Sequence, residues 1–236
     1  MVKRLIGVLI GVFLAQLIIA ASLGGYPQYD ATFGAWTALD LRQILRGWLW
    51  QPFTYMFVHS ANGWGHVVFN CLALYFFGSA VEESIGKKAL VKVFIGAGLA
   101  GALAVMITQA IAMGVEGWSV PRVVGASGAI SGIGAVFCWL HWRREIYVFI
   151  FRVTGKQLFL FLIVADLLSL AARFTRNGGD NIAVQCHAGG MLFGLLWVTG
   201  RLNPKTLILE LKRWRLKRRL KVVHSRDPEE RGPYMN

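Results

Sequence analysis

Apolar residues gather into six stretches along the chain, at about Leu5 to Ala21, His66 to Val81, Leu90 to Met113, Ser127 to Trp142, Leu158 to Ala172 and Ala183 to Thr199. A bilayer crossing takes roughly 20 apolar residues. Backbone amides in hydrocarbon find no water, so each stretch is predicted to be a helix that satisfies its own polar groups. The second and fourth stretches look short for a full crossing, and their outer ends carry His66 and Ser127. Helices that begin below the surface leave a cavity there. The pattern predicts an all-α polytopic membrane protein, a bundle of six transmembrane helices over residues 1–200, with a tail at 201–236.

The longest connection, about 22–65, is rich in Gly, Trp and Tyr, as "LGGYPQYDATFGAW" and "GWLWQPFTYMF" show. Trp and Tyr favour the headgroup level of a membrane, so the loop is expected to be partly embedded. The start, "MVKRLIGVLIGVFLAQLIIAAS", has the charged and apolar regions of a signal peptide. A retained first span is expected instead, because an even number of crossings needs it.

Composition agrees with a membrane setting: of 236 residues, 56% are hydrophobic and 16% charged, and the mean hydropathy is +0.52. The net charge of +13 raises the question of nucleic acid. Eleven of the 25 Lys and Arg residues lie from Arg201 onward, directly after the last apolar stretch, and no aromatic-interleaved binding motif accompanies them. A basic tail in that place is drawn to anionic lipid and held on the cytoplasmic side. With the N-terminus inside, only Arg42, Arg46, Arg122, Arg173 and Arg176 fall on the outer side, which sets both termini in the cytoplasm. Cys71, Cys138 and Cys186 show no paired spacing and indicate neither a disulfide framework nor a zinc site.

Candidate chemistry begins at "GASGAISG", Gly125 to Gly132, where Ser127 sits between glycines at the mouth of an apolar stretch. A hydroxyl at membrane depth is costly unless hydrogen-bonded. In "HVVFN", His66 and Asn70 are four residues apart and project from one helix face, as a pair of hydrogen-bond donors or as an interhelical polar contact. In "CHAGGMLFG", His187 precedes Gly190 and Gly194, a spacing repeated by Gly128 and Gly132 after Ser127. If those small-residue faces pack together, Ser127 and His187 reach one depth, the relation of a nucleophile to its base. His141 and His224 fall among basic residues on the cytoplasmic side, and His59 lies in the loop with a structural role expected.

Together "GASGAISG", His66 to Asn70 and "CHAGGMLFG" resemble the motifs of the rhomboid intramembrane serine proteases, in the bacterial six-helix form. The likeness extends to "WQPFTYMFVHS" and "GSAVEESIGKK" on either side of the second stretch. The resemblance implies a dyad in which Ser127 attacks a peptide carbonyl and His187 takes its proton. The Ser127 backbone N–H and the His66 and Asn70 side chains would then hold the oxyanion, while Gly125 and Gly128 allow close approach. It further implies transmembrane protein substrates with small residues near the cut, entry between helices, a cap at Phe174 to Ile182, and no metal or organic cofactor. Two features depart from the pattern: six residues separate His59 from His66, and Ser131 stands where relatives often carry an aromatic residue against the histidine ring.

Other residues invite rival readings. Asp166 is an intramembrane carboxylate, a candidate for function on that ground alone. It could complete a triad, but it lies roughly 9 Å below the outer end of its predicted helix at 1.5 Å per residue and the resemblance implies a dyad without an acid, so the dyad is the expectation. "NGGD" at Asn177 to Asp180 is not an aspartyl-protease motif, no HExxH occurs, and Cys186 beside His187 reads as packing. A noncatalytic rhomboid-like protein that binds membrane clients is the main rival. A transporter using His66, Asn70, Asp166 and His187 as a polar path is the other, weakened by the lack of an internal repeat.

Overall fold

The computed structural model describes residues 1–60, 63–115, 121–148, 150–175 and 184–224. Each apolar stretch forms a helix: α1 (Val2–Ser22), α2 (Gly65–Ile85), α3 (Lys87–Met113), α4 (Ser127–Leu140), α5 (Gly155–Thr175) and α6 (Val184–Val198). A basic helix, α7 (Pro204–His224), follows. Met1–Leu195 make one compact unit and Leu196–Asn236 a second. The expected cap at Phe174 to Ile182 lies largely outside the described residues.

Two expectations are corrected. The second stretch is not short: α2 runs 21 residues and, with α1 and α3, is long and apolar enough to cross a membrane. Sequence hydropathy fades after Val81, but the helix continues through Glu82, Glu83 and Ser84 to Gly86. Gly86, at φ +83°, ends α2 and lets α3 begin one residue later. The short helices are α4, with 14 residues, and α6, with 15. Nor is the chain entirely α: β1 (Glu145–Val148) and β2 (Phe151–Thr154) form an antiparallel hairpin between α4 and α5. Its Ile, Tyr, Val, Phe and Thr residues suit extended backbone.

Fourteen residues rise only about 21 Å, and α4 uses that length at the centre of the bundle. Gly128 to Ile130 and Gly132 to Cys138 are all buried, as expected of a helix apolar on every side. The surrounding helices turn bulky apolar residues outward, among them Ile18, Phe69, Leu103 and Leu168. In a bilayer those faces meet lipid.

The described part of the 22–65 connection folds into short helical turns with exposed Trp36, Leu45, Leu49 and Trp64. Three buried glutamines tie it down. Gln16, in the middle of α1, donates to the His59 carbonyl at 2.7 Å and accepts from the His59 N–H at 3.0 Å. Gln51 accepts from the Asp40 N–H at 3.0 Å and donates to the Ala35 carbonyl at 3.0 Å. Gln109 of α3 accepts from the Leu41 N–H at 2.9 Å and donates to the Pro121 carbonyl at 3.2 Å. A primary amide carries both a donor and an acceptor, so one side chain satisfies two stranded backbone groups.

Candidate active site

The segment that delivers Ser127 is fixed from three sides. Val123 and Leu39 exchange backbone hydrogen bonds at 2.9 and 3.0 Å, the Gly125 N–H donates to the Tyr55 carbonyl at 2.9 Å, and Gln109 holds Pro121. Gly125 has φ +120°, a conformation that side-chain-bearing residues rarely adopt. A β-carbon there would also lie 2.7 Å from His66 Nε2, so the absence of a side chain admits the imidazole. Ser127 is the first residue of α4, and the first backbone bond back from the helix body is Ile130 N–H to Ala126 carbonyl at 2.9 Å. No carbonyl of the helix reaches the Ser127 amide, which sits at the positive end of the helix dipole.

The two glycine faces pack as the spacing predicts. A β-carbon on Gly190 would run into the Gly128 carbonyl oxygen, and one on Gly194 into that of Gly132. All four glycines are buried. Cys186 is buried against this seam with Sγ 3.4 Å from the Tyr55 hydroxyl, which donates to the Gly98 carbonyl at 2.6 Å. The thiol packs, as expected of it, and is not among the residues that line the cavity with Ser127 and His187.

Backbone contact between α4 and α6 brings Ser127 and His187 to the wall of one cavity of about 1190 Å³. His66, Asn70, Ser131 and Asp166 line it as well, with Asp30 and Arg122 forming an ion pair on the same cavity. The Asn70 amide donates to the His66 carbonyl at 2.9 Å, leaving its second N–H. Gly125 borders His66 and Asn70, and Gly128, Gly190 and Gly194 form the seam beneath.

Two features of the site go beyond the expected dyad. Asp166 is not too deep to reach it: Oδ1 lies 2.8 Å from His187 Nδ1, with the two side chains 17% and 16% exposed. Distance from the end of its own helix misled: α5 runs past Asp166 to Thr175, and the packing that sets this side chain level with His187, not its distance from the helix end, decides the contact. His59, in the loop, is 1% exposed and stands edge-on to His66 with ring centroids 5.1 Å apart. Neither of its ring nitrogens has a hydrogen-bond partner among the described residues. Burial first, and the His66 ring second, push His59 down to about 3, so it is neutral.

Three described helices long and apolar enough to cross a membrane, in a bundle that holds a cavity with polar side chains in its wall, mark a multi-pass membrane protein. The model of the Rhomboid domain matches residues 46–204, more than half of the chain, and the protein belongs to the rhomboid family. Among its relatives, the mitochondrial RHOMBOID-like protein 12 of Arabidopsis thaliana is 31% identical over 136 residues, 53% of this chain and 39% of that protein. The putative rhomboid protease YdcA of Bacillus subtilis is 27% identical over 154 residues, 65% of this chain and 67% of the relative. The rhomboid protease GlpG of Salmonella paratyphi A is 29% identical over 178 residues, 75% of this chain and 56% of GlpG. The chain thus spans about two fifths of the Arabidopsis relative and a little over half of GlpG.

Proposed function

We propose that the protein is an intramembrane serine endopeptidase that cuts transmembrane or membrane-proximal segments of other membrane proteins through Ser127 and His187. The observation that carries the reading is the glycine seam between α4 and α6, which sets both residues on one cavity. In the reaction, Ser127 Oγ attacks the peptide carbonyl as His187 Nε2 takes its proton. The ring then returns that proton to the departing amine, and a water repeats the sequence on the acyl-enzyme. The Ser127 amide at the start of α4, with His66 and Asn70, stabilises the charge that develops on the carbonyl oxygen. Loss of one such donor costs about 100 to 1000-fold in rate.

Hydrolysis needs water at membrane depth, and α4 supplies it by beginning at Ser127, below the level of a full crossing. In this reading α1 to α6 all span the membrane within residues 1–200, and the apolar cap at about 22–65 dips into the outer leaflet. Both termini are cytoplasmic in a plasma or inner membrane, and the basic tail at 201–236 rests on anionic lipid. Substrate helices with small residues near the cut enter sideways, and the chemistry requires no metal or organic cofactor.

The test compares wild type, Ser127→Ala and His187→Ala in detergent on a model transmembrane substrate, with thermal unfolding as the control for folding. Loss of cleavage in both folded variants is expected. Cleavage that persists without Ser127 would overturn the mechanism, and client binding with no cleavage by wild type would favour the noncatalytic reading.

A further inference from the structure

We infer that Asp166 is a positioning residue for His187, extending the proposed pair into a Ser127, His187 and Asp166 triad. The inference rests on the hydrolytic reading above. Its starting point is the 2.8 Å contact between Asp166 Oδ1 and His187 Nδ1, made across two helices at the cavity wall. A carboxylate has only acceptors to offer, so this contact places the ring proton on Nδ1 and leaves the lone pair on Nε2. That is the tautomer a base needs. As the bond from Ser127 Oγ to the carbonyl carbon forms, the Oγ proton passes to Nε2. The positive ring is then stabilised by the carboxylate, which takes no proton itself. When the C–N bond breaks, Nε2 returns its proton to the amine and the starting tautomer is restored.

Ser131 gives a second reason for such a partner. It lies one turn beyond Ser127 on the same cavity and is too small to stack on an imidazole. A hydrogen bond to Nδ1 orients the ring without stacking.

Charge and shape are separated by two pairs of variants. Asp166→Asn keeps the shape but offers an N–H to Nδ1 and so favours the opposite tautomer. In a protease with a fully buried aspartate the same exchange lowers kcat by about 10⁴. Here, with Asp166 17% exposed at a cavity wall, kcat is expected to fall about 100 to 1000-fold with KM changed less than about twofold. The rate at which a fluorophosphonate labels Ser127 should fall in parallel, because labelling needs the activated hydroxyl but no helix entry. If Asp166→Asn unfolds, Asp166→Glu and Asp166→Gln serve instead, differing from each other in charge alone, and Glu should be at least about tenfold faster. Wild-type kcat and labelling in Asp166→Asn, or equal rates in the Glu and Gln variants, would overturn the inference while silent Ser127→Ala and His187→Ala variants leave the protease reading standing. Undiminished cleavage by His187→Ala would remove both.

Discussion

Gly125 and His66 are in such close contact that a single β-carbon on the glycine would lie 2.7 Å from the imidazole Nε2. The contact joins the strand of chain leading to Ser127 with the N-terminal turn of α2, and it depends on a backbone at φ +120°. Gly125→Ala therefore carries two penalties, a strained backbone worth about 1–3 kcal/mol and a displaced His66. Cleavage should fall at least about tenfold, more than the stability loss alone explains, if His66 contributes to the oxyanion site. Measuring cleavage alongside thermal unfolding separates the two, and wild-type activity would show that His66 has no such part.

Gln109 is 12 residues from Pro121 and 68 from Leu41, yet it links both. Gln109→Leu would strand a half-buried N–H and a half-buried carbonyl, each costing at most the roughly 1–3 kcal/mol of a fully buried unsatisfied group. The expected result is a lower unfolding temperature together with slower labelling of Ser127, since the segment carrying the serine loses an anchor. A variant that melts early but labels normally would confine Gln109 to stability.

His59 makes a prediction about pH. Its folded-state value of about 3 lies below the unfolded value of 6.5, so the unfolded chain binds the extra proton between these limits. Stability is complete above about pH 6.5 and declines as pH falls toward 3, by at most about 1.4 kcal/mol per unit from this group. The unfolding midpoint of wild type should drop from pH 7 to pH 4.5, and His59→Phe should drop less. Equal pH dependence in the two proteins would assign the effect to other groups.

Small-residue packing predicts a contrast between glycines. Gly190→Ala would press a methyl group into the Gly128 carbonyl, forcing α4 and α6 apart at a cost of about 1–3 kcal/mol. Cleavage should be lost with it. Gly11→Ala on α1 meets nothing within 4 Å, so it should leave both unfolding temperature and activity unchanged. Similar behaviour of the two variants would argue against the seam as the element that sets Ser127 beside His187.

Much of the candidate site's geometry was legible in the sequence. The spacing after Ser127 and after His187 announced two small-residue faces, and a face of glycines has one evident use between membrane helices, the close approach of backbones. The same logic marked His66 and Asn70 as one helix face. Asp166 was visible as an intramembrane carboxylate whose contact with His187 the sequence could not fix, and nothing in the sequence pointed to the partners of Gln16 and Gln109.

The difference has a physical origin. Local sequence determined where the helices form, because a bilayer leaves an apolar stretch no other way to satisfy its backbone, and it determined which positions are small enough for contact. It also placed the motif residues near the ends of their helices. Only tertiary structure decided how far each helix continues past its apolar stretch, as α2 does beyond Val81, and how deep and at what rotation each one sits. A helix apolar on every side carries little periodic signal of its own orientation. The meeting of Asp166 with His187, and of Gln109 with both Leu41 and Pro121, therefore arises from packing between distant segments.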